Sequence, residues 1–401
     1  MLVDVAVNRG PRSVGRIRPG LEEVRRVLKE RGNPQLDFPS ILVVGTNGKG
    51  STAAMLDALL RAHGLSSGLF TSPHLVRVEE RVRLNGIPVD KTVLESAIES
   101  LDEYPDLTYF ETMAAAAFQI FSEAEVDVAV LEAGMGGSWD ATRLAESAIA
   151  GLTNIGSDHA GWLGAEPADV ARDKGRALAA AQMAVTGSGV DDDLVTWIGA
   201  PAARPARSLV RCSDAGGGRV SMSWDGRNAI ARMPLAGTFQ RDNLELALAL
   251  ALETVNAGWM GALKPLLVRE ALEGLTWPGR LSVHNVRGRE VLTDCAHNLE
   301  AALALADHLD GLDRRYNLLF SCLEDKPAEL MAEALKERVG DIVVCRLDDE
   351  RAMSLERLAT AFPGSEVAGT PLMGLDRLGD PVLAAGSIRL VGALLASAER
   401  V

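Results

Sequence analysis

The sequence has few cysteines, few aromatic residues and no apolar run long enough to cross a membrane. Aromatic residues make up 4% of the chain, and the apolar stretches, such as 246–252, are far shorter than a membrane span. The first ten residues contain no apolar core, so no signal peptide is expected. Widely spaced cysteines without a CxxC pair argue against a disulfide framework or zinc site and favour a cytoplasmic location; they are Cys212, Cys295, Cys322 and Cys345.

Positive charge is also in short supply. The formal net charge is −14 and the isoelectric point is about 5.0. This balance argues against nucleic acid or an anionic membrane as a general partner. An anionic substrate would therefore have to meet a local cluster of basic side chains, metal and backbone N–H groups.

Strand and helix signals alternate along the chain, which predicts an α/β fold. Apolar runs near 41–44, 67–70, 126–131 and 149–153 read as strands, with helical spacing between them. At 401 residues, two domains are expected. The stretch from Trp277 to Arg280 contains a Pro-Gly pair, interrupts the alternation of strands and helices, and marks the expected domain boundary. We predict a P-loop-type domain over residues 1–280, with a mostly parallel sheet flanked by helices, and a smaller Rossmann-like α/β domain over residues 281–401.

A glycine-rich turn after the first strand has the composition of a phosphate-binding loop. Residues 45–52 read Gly-Thr-Asn-Gly-Lys-Gly-Ser-Thr. Backbone N–H groups in such a turn, with the start of the following helix, attract phosphate oxygens. Lys49 can reach the β- and γ-phosphates, and Ser51 or Thr52 can hold Mg²⁺. The spacing is not that of the common Walker A loop, because Val43 and Gly50 stand where that pattern needs glycine and a hydroxyl.

Polar residues follow several predicted strands, and ligands of parallel sheets bind at that edge. Glu132 ends one strand, His159 follows another, and Ser72 follows a third, so an Mg²⁺ site is one interpretation and solvent-exposed or capping side chains are the other. Lys174 lies on a helix of mixed charge. In the second domain, Asp294 is either a helix cap or a nucleotide contact, and Arg280 could pair with phosphate.

An ordered set of motifs spans nearly the whole chain and resembles the folylpolyglutamate synthase/dihydrofolate synthase family of the Mur ligase superfamily. Besides the loop at 45–52, the matching stretches lie at 20–22, 38–40, 71–75, 79–82, 107–111, 131–137, 140–142, 153–156, 158–159, 162–164, 278–280 and 294–298. The resemblance implies an ATP-dependent ligase. It would convert a folate-type carboxylate to an acyl phosphate, which the amine of L-glutamate then attacks.

The resemblance also assigns roles residue by residue. Catalysis is expected of Lys49, His159 and Lys174. ATP contacts are expected of Thr46, Asn47, Gly48, Lys49, Gly50, Ser51, Thr52, Asn243, Arg280, Asp294 and His297. The metal ligands would be Ser51, Ser72, Glu132, His159 and Lys174, and the folate or dihydropteroate substrate would meet Phe110 and Glu111. Mg²⁺ is the expected cation, with K⁺ as a further candidate, and the protein is expected to be a monomer without nucleic-acid or membrane partners.

Lys174 matches a lysine that is carbamylated in this family. A carbamate is an anion that a hard cation prefers as ligand. Arg172 or Arg176 could hydrogen-bond it, and Gly175 would leave it room. The other expectation is an ammonium group in contact with phosphate.

The chain departs from the family pattern at several places. Ser138 replaces the usual arginine, Arg143 the usual asparagine and Phe239 the usual histidine, and the stretch at 16–19 is more basic than usual. These departures leave open a Mur-type ligase that joins a different carboxylate to an amino acid. A P-loop kinase or NTPase, and a non-catalytic nucleotide- or folate-binding relative, are further alternatives.

Overall fold

The computed structural model describes residues 20–156, 166–190, 192–200 and 202–398. The chain forms two compact units. The first ends at Pro234 and resumes over Gln240–Leu275, whereas the second comprises Leu235–Phe239 and the chain from Thr276 onward.

Within the described residues, the large sheet of the first unit has eight strands in the order β4-β3-β2-β5-β1-β6-β7-β8. The strands β2, β5, β1, β6, β7 and β8 run parallel, and β3 and β4 add antiparallel pairs at one edge. Their bounds are β1 Ser40–Val44, β2 Ser67–Phe70, β3 Val82–Leu84, β4 Ile87–Pro88, β5 Val128–Glu132, β6 Ile149–Asn154, β7 Met183–Gly189 and β8 Arg204–Pro205.

The central register brings the functional loops to one edge. Val43 pairs with Glu132 of β5, and Val44 pairs with Leu152 of β6. Phe70 of β2 pairs with Leu131. The segments that follow β1, β2, β5 and β6 therefore leave the sheet side by side.

Helices of the first unit supply much of its core. Fully buried Met55, Leu56, Leu59 and Leu60 explain why the helix after β1 lies against β2 and β5. The helix bounds are α1 Glu22–Glu30, α2 Lys49–Ala62, α3 Lys91–Glu99, α4 Tyr109–Glu123, α5 Pro167–Ala180, α6 Asp192–Ile198, α7 Phe239–Asn256 and α8 Pro265–Glu273. A small antiparallel sheet of β9 Val210–Gly216, β10 Arg219–Trp224 and β11 Arg227–Arg232 completes this unit.

The second unit is a smaller α/β structure. Its sheet has the order β12-β13-β17-β14-β15-β16, antiparallel between β12 and β13 and parallel elsewhere. The strands are β12 Arg280–Val286, β13 Arg289–Asp294, β14 Asn317–Phe320, β15 Ile342–Cys345, β16 Glu366–Ala368 and β17 Val382–Ala385. The helices are α9 Leu299–Asp310, α10 Ala328–Leu335, α11 Leu355–Ala361, α12 Pro371–Arg377 and α13 Ile388–Leu395.

The predicted fold class is confirmed: a mostly parallel sheet with helices in the first unit, and a separate α/β sheet in the second. No helix in the described ranges has both the length and the apolar composition that a membrane crossing requires.

Candidate active site

The phosphate loop depends on two glycines with positive φ. Gly45 has φ +150°, and a Cβ there would lie 1.8 Å from Thr153 Oγ1. Gly48 has φ +82°, and a Cβ there would lie 2.2 Å from Asn243 Oδ1. Gly48 is also the N-cap of α2 and provides no capping side chain. The first N–H groups of a helix have no intrahelical acceptors, so this helix start can receive an anion.

The end of β6 holds the loop in shape. Asn47 N donates to Asn154 Oδ1 at 2.9 Å, and Asn154 Nδ2 donates to Asn47 O at 3.1 Å. Thr153 Oγ1 donates to Asn47 O at 2.6 Å. Gly156 N donates to Thr46 Oγ1 at 2.9 Å. Thr46 and Asn47, both predicted ATP contacts, therefore bind the β6 end and preorganise the loop.

Two lysines converge on one carbonyl of this loop. Lys49 Nζ donates to Gly45 O and Thr46 O, at 3.1 Å each. Lys174 Nζ, from α5, donates to Gly45 O at 2.9 Å and is only 3% exposed. The predicted catalytic lysines thus lie together at the phosphate loop.

The oxygen-rich edge beside the loop fits a hard divalent cation. Glu132 is buried and accepts a hydrogen bond from Ser72 N at 3.0 Å. A Cβ on Gly50 would lie 3.3 Å from a Glu132 carboxylate oxygen, so glycine there gives the carboxylate room. Ser51 Oγ is buried and has no hydrogen-bond partner within the described part of the chain. Carboxylate and hydroxyl oxygens are suitable Mg²⁺ ligands.

His159, predicted as both a catalytic residue and a metal ligand, lies outside the described residues. Among those that are described, no group of three or more His, Cys, Asp or Glu side chains could hold a metal ion. The candidate metal site therefore rests on Ser51, Ser72 and Glu132, with Lys174 near the same loop.

Two aspartates that the sequence did not mark as functional position the loop after β5. Asp140 accepts hydrogen bonds from Gly134 N at 2.7 Å and Met135 N at 3.0 Å, and burial raises its pKa. Asp173 accepts one from Gly137 N at 2.7 Å. A Cβ on Gly137 would lie 2.7 Å from Lys174 Cα, so this loop lies directly against the helix that carries Lys174. The Asp-x-Thr pattern at 140–142, typical of a capped turn, was the available signal for Asp140.

The surroundings predicted for Lys174 are partly wrong. A Cβ on Gly175 would lie 1.8 Å from Ile198 O, so this glycine permits the contact between α5 and α6 and does not make room for a carbamate. Arg172 pairs with Asp169 and covers the Trp197 ring at 4.3 Å. Arg176 donates to Ser138 Oγ at 3.0 Å. These contacts of the two arginines are with residues other than Lys174.

Phe110 and Glu111 occupy the first turn of α4. The predicted capping box is confirmed: Glu111 Oε2 accepts from Thr108 N at 2.7 Å, and Thr108 Oγ1 accepts from Glu111 N at 3.3 Å. Phe110 contacts Phe70, with ring centroids 5.8 Å apart. A Cβ on Gly134 would lie 2.5 Å from the Phe110 ring, so Phe110 also borders the loop after β5.

In the second unit, Arg280, Asp294 and His297 gather around the end of β13. Asp294 is buried and accepts hydrogen bonds from Leu281 N at 3.0 Å and from Ala296 N at 2.8 Å. Burial raises its pKa, and the positive charge of Arg280 partly opposes that rise. His297 Nδ1 is 2.9 Å from Cys295 O. Asn298 caps α9, so Asp294 is not its helix cap.

In the first unit, Asn243 Nδ2 donates to Gln240 Oε1 at 2.9 Å.

The fold and the loop geometry together define a Mur-type ligase, and two family models match. The Mur ligase middle domain matches residues 43–251, and the Mur ligase glutamate ligase domain matches residues 279–378. A dihydrofolate synthase/folylpolyglutamate synthase of Mycobacterium tuberculosis is 33% identical over 382 residues, which cover 86% of this chain and 78% of that protein. The chain therefore belongs to the folylpolyglutamate synthase/dihydrofolate synthase family of Mur ligases.

Other relatives agree with this assignment. A probable bifunctional folylpolyglutamate synthase/dihydropteroate synthase of Haloferax volcanii is 34% identical over 94% of this chain, and the chain spans about half of its length, 48%. The structure of Mycobacterium tuberculosis folylpolyglutamate synthase with ADP and AMPPCP has a TM-score of 0.87 at 29% identity and covers 98% of this chain and 96% of that one. A bifunctional folylpolyglutamate synthase/dihydrofolate synthase structure with Mn, AMPPNP and L-glutamate bound has a TM-score of 0.82 at 26% identity and covers 96% and 95%.

Proposed function

We propose that this protein is an ATP-dependent ligase that adds L-glutamate to a folate-type carboxylate through an acyl phosphate. The observation that carries this proposal is the phosphate loop with Lys49 and Lys174 on Gly45 O, beside the oxygen-rich edge at Ser51 and Glu132. The names of its relatives support the substrate class.

The chain's own residues would act mainly by positioning and charge. The N–H groups at the start of α2 hold the triphosphate, and Lys49 stabilises the charge that develops on the transferred phosphoryl group. The acceptor carboxylate attacks the γ-phosphorus and ADP leaves. The amine of L-glutamate then attacks the acyl carbon, phosphate departs with the C–O bond pair, and the amine loses a proton.

Ser51, Ser72 and Glu132 would hold Mg²⁺, which supplies Lewis-acid stabilisation of the phosphate oxygens when bound. His159 and Lys174 are the further proposed ligands. Either Glu132→Gln or His159→Ala should raise the Mg²⁺ concentration for half-maximal rate, whereas metal-free nucleotide binding should change little. Unchanged Mg²⁺ dependence in both variants would make these residues structural. The need for K⁺ stays a prediction.

Lys174 would act in one of two chemical forms. Its burial, with Nζ on Gly45 O, supports a role at the phosphate loop. A neutral amine in this place could take up CO₂ and become an anionic ligand, whereas the ammonium group would contact phosphate. ¹³C-labelled bicarbonate and NMR on the nucleotide complex distinguish the forms, because only the carbamate gives a labelled carbonyl signal that Lys174→Met abolishes.

A second candidate is a Mur-type ligase with a different acceptor acid. It is favoured by the contact between Arg143 and Ser138 in the segment after β5, where a guanidinium group lies beside the proposed site. The test is ADP release with dihydropteroate, folates and other acids, each with and without L-glutamate. A folate ligase needs both a folate-type acid and the amine. A kinase releases ADP without the amine, and a binding protein releases none.

The cellular setting stays a prediction. A monomer in the cytoplasm, with small-molecule substrates and without nucleic acid or membrane partners, is consistent with the net charge of −14. Size-exclusion chromatography with light scattering tests the monomer.

A further inference from the structure

Arginines gather at the loop after β5. Arg143 Nη1 donates to Ser138 O at 2.9 Å, and Arg176 Nη1 donates to Ser138 Oγ at 3.0 Å. Arg25, from α1, lies close enough to influence the charge state of Arg143. Ser138 is thus held by two guanidinium groups from different segments.

The positive charge of this cluster exceeds its negative charge. Asp140 and Asp173 are the carboxylates that act on Arg143. Asp140 is buried and accepts four hydrogen bonds, and Asp173 accepts one from the backbone of the loop. Burial lowers the pKa of Arg143, with Arg176 and Arg25 adding to that effect and Asp173 opposing it. An anion placed here would relieve this repulsion.

Both guanidinium groups also keep hydrogen-bonding capacity. Within the described residues, Arg143 and Arg176 each spend one nitrogen on Ser138. A guanidinium has five N–H donors in a fork that matches a carboxylate. The remaining donors can therefore receive the oxygens of a ligand.

The cluster borders the proposed active site. Gly137, next to Ser138, lies against Lys174, whose Nζ contacts the phosphate loop. At the other end of the loop, Gly134 lies against the Phe110 ring. Trp139, directly after Ser138, is 50% exposed and offers an apolar surface to a ligand.

We propose that Arg143 and Arg176 bind a second carboxylate of the acceptor, distinct from the carboxylate that is converted to the acyl phosphate. This inference rests on the proposed function. An acceptor that already ends in glutamate carries an α-carboxylate beside the reacting γ-carboxylate, whereas a pteroate-type acceptor carries a single carboxylate. The arginine pair therefore selects glutamylated acceptors over unglutamylated ones.

The experiment compares kcat/KM for a monoglutamylated reduced folate and for dihydropteroate, at saturating ATP and L-glutamate. The ratio of interest is kcat/KM for the glutamylated folate divided by kcat/KM for dihydropteroate. Arg143→Gln and Arg176→Gln should each lower this ratio about tenfold, the usual size of a lost charge-assisted hydrogen bond. The loss should fall on KM for the glutamylated acid, since ground-state and transition-state binding are weakened equally. Arg143→Lys, which keeps the charge and loses the fork, should restore part of the ratio.

Arg172→Gln is the matched control. Arg172 lies on the same helix, pairs with Asp169 and stacks on Trp197, so its removal should leave the ratio unchanged. Added salt should lower the ratio for the parent and have little effect on the Arg143→Gln/Arg176→Gln double variant. Equal ratios for the parent and both glutamine variants would overturn the inference. If the parent releases ADP with none of these acids, the proposed function fails instead, so the two failures are distinguishable.

Discussion

Replacement of Ser51 by alanine distinguishes a metal-binding role of its hydroxyl from a structural one. If the hydroxyl binds metal, the replacement should raise stability and lower activity. Its hydroxyl is buried and, in the described ranges, without a hydrogen-bond partner. Burying an unsatisfied hydroxyl costs roughly 1–3 kcal/mol. Ser51→Ala removes that cost and slightly favours the helix, and the small void that it leaves offsets part of the gain. We expect the variant to be about 1 kcal/mol more stable than the parent.

Ser67 is the matched control. It is fully buried and donates to Asp57 Oδ1 at 2.5 Å, so its hydroxyl is structurally satisfied. A hydrogen bond to a charged group contributes about 1.5–3 kcal/mol, and Ser67→Ala should lower the free energy of unfolding by about 2 kcal/mol. Because Ser67 lies away from the phosphate loop, the Mg²⁺ requirement of Ser67→Ala should match that of the parent.

The activity of Ser51→Ala should change in the other direction. Loss of one oxygen ligand should raise the Mg²⁺ concentration for half-maximal ADP release at least about tenfold, as losses at metal sites commonly do. Urea denaturation gives the stability, and a coupled ADP assay across a Mg²⁺ series gives the requirement. A less stable Ser51→Ala with the parent's Mg²⁺ dependence would show that the hydroxyl holds the fold and not the metal.

Three further predictions concern single residues. Lys49→Ala should fold normally and lose about 10²–10³-fold in kcat, the usual effect of removing one charge-stabilising group, so a near-normal kcat would contradict the assignment of the loop. Gly137→Ala should lower stability by about 2 kcal/mol and also lower the rate, because its Cβ would press on the backbone at Lys174; Gly261→Ala, with nothing within 4 Å of its Cβ, is the control. Burial raises the pKa of Cys295 to about 11, so iodoacetamide at pH 8 should leave it unmodified in the native protein, and mass spectrometry should find it labelled only after unfolding.

Much of the fold could be predicted because buried parallel strands leave apolar runs in the sequence. β1 and β5 are such runs, and both were placed within about two residues. β7 was not predicted because its second half reads Thr-Gly-Ser-Gly. Its Gly187 and Gly189 lie against the backbone and side chains at Thr153 and Asn154, a close approach that no local pattern reveals. β12 was also missed, since it begins directly after a Pro-Gly break and Leu281 has φ +48°.

The positions of the site residues follow from the topology, and their contacts do not. Carboxyl ends of parallel strands share one edge, so Ser72, Glu132 and the loop could be expected together before any coordinates. What each side chain contacts depends on packing between segments distant in sequence. The carbonyl and the hydroxyl of Ser138 are held by arginines five and 38 residues away, respectively. Gly175 is needed because α6 packs closely against it, and α6 is a helix that the sequence pattern did not predict.

The shared carbonyl of Gly45 brings both lysines to one point of the phosphate loop. Glycine at this position is required twice, by its φ and by the closeness of Thr153. The resulting turn points its carbonyl at Lys49 and Lys174, so the conformation that exposes N–H groups to a phosphate also anchors two cations beside it. Conversion of Lys174 to a carbamate would reverse its charge and leave its nitrogen with a single neutral N–H donor in place of the ammonium group. The chemical form of Lys174 therefore sets whether the loop has two cations or a cation and an anion beside it, and with it the affinity of the site for free phosphate and for Mg²⁺.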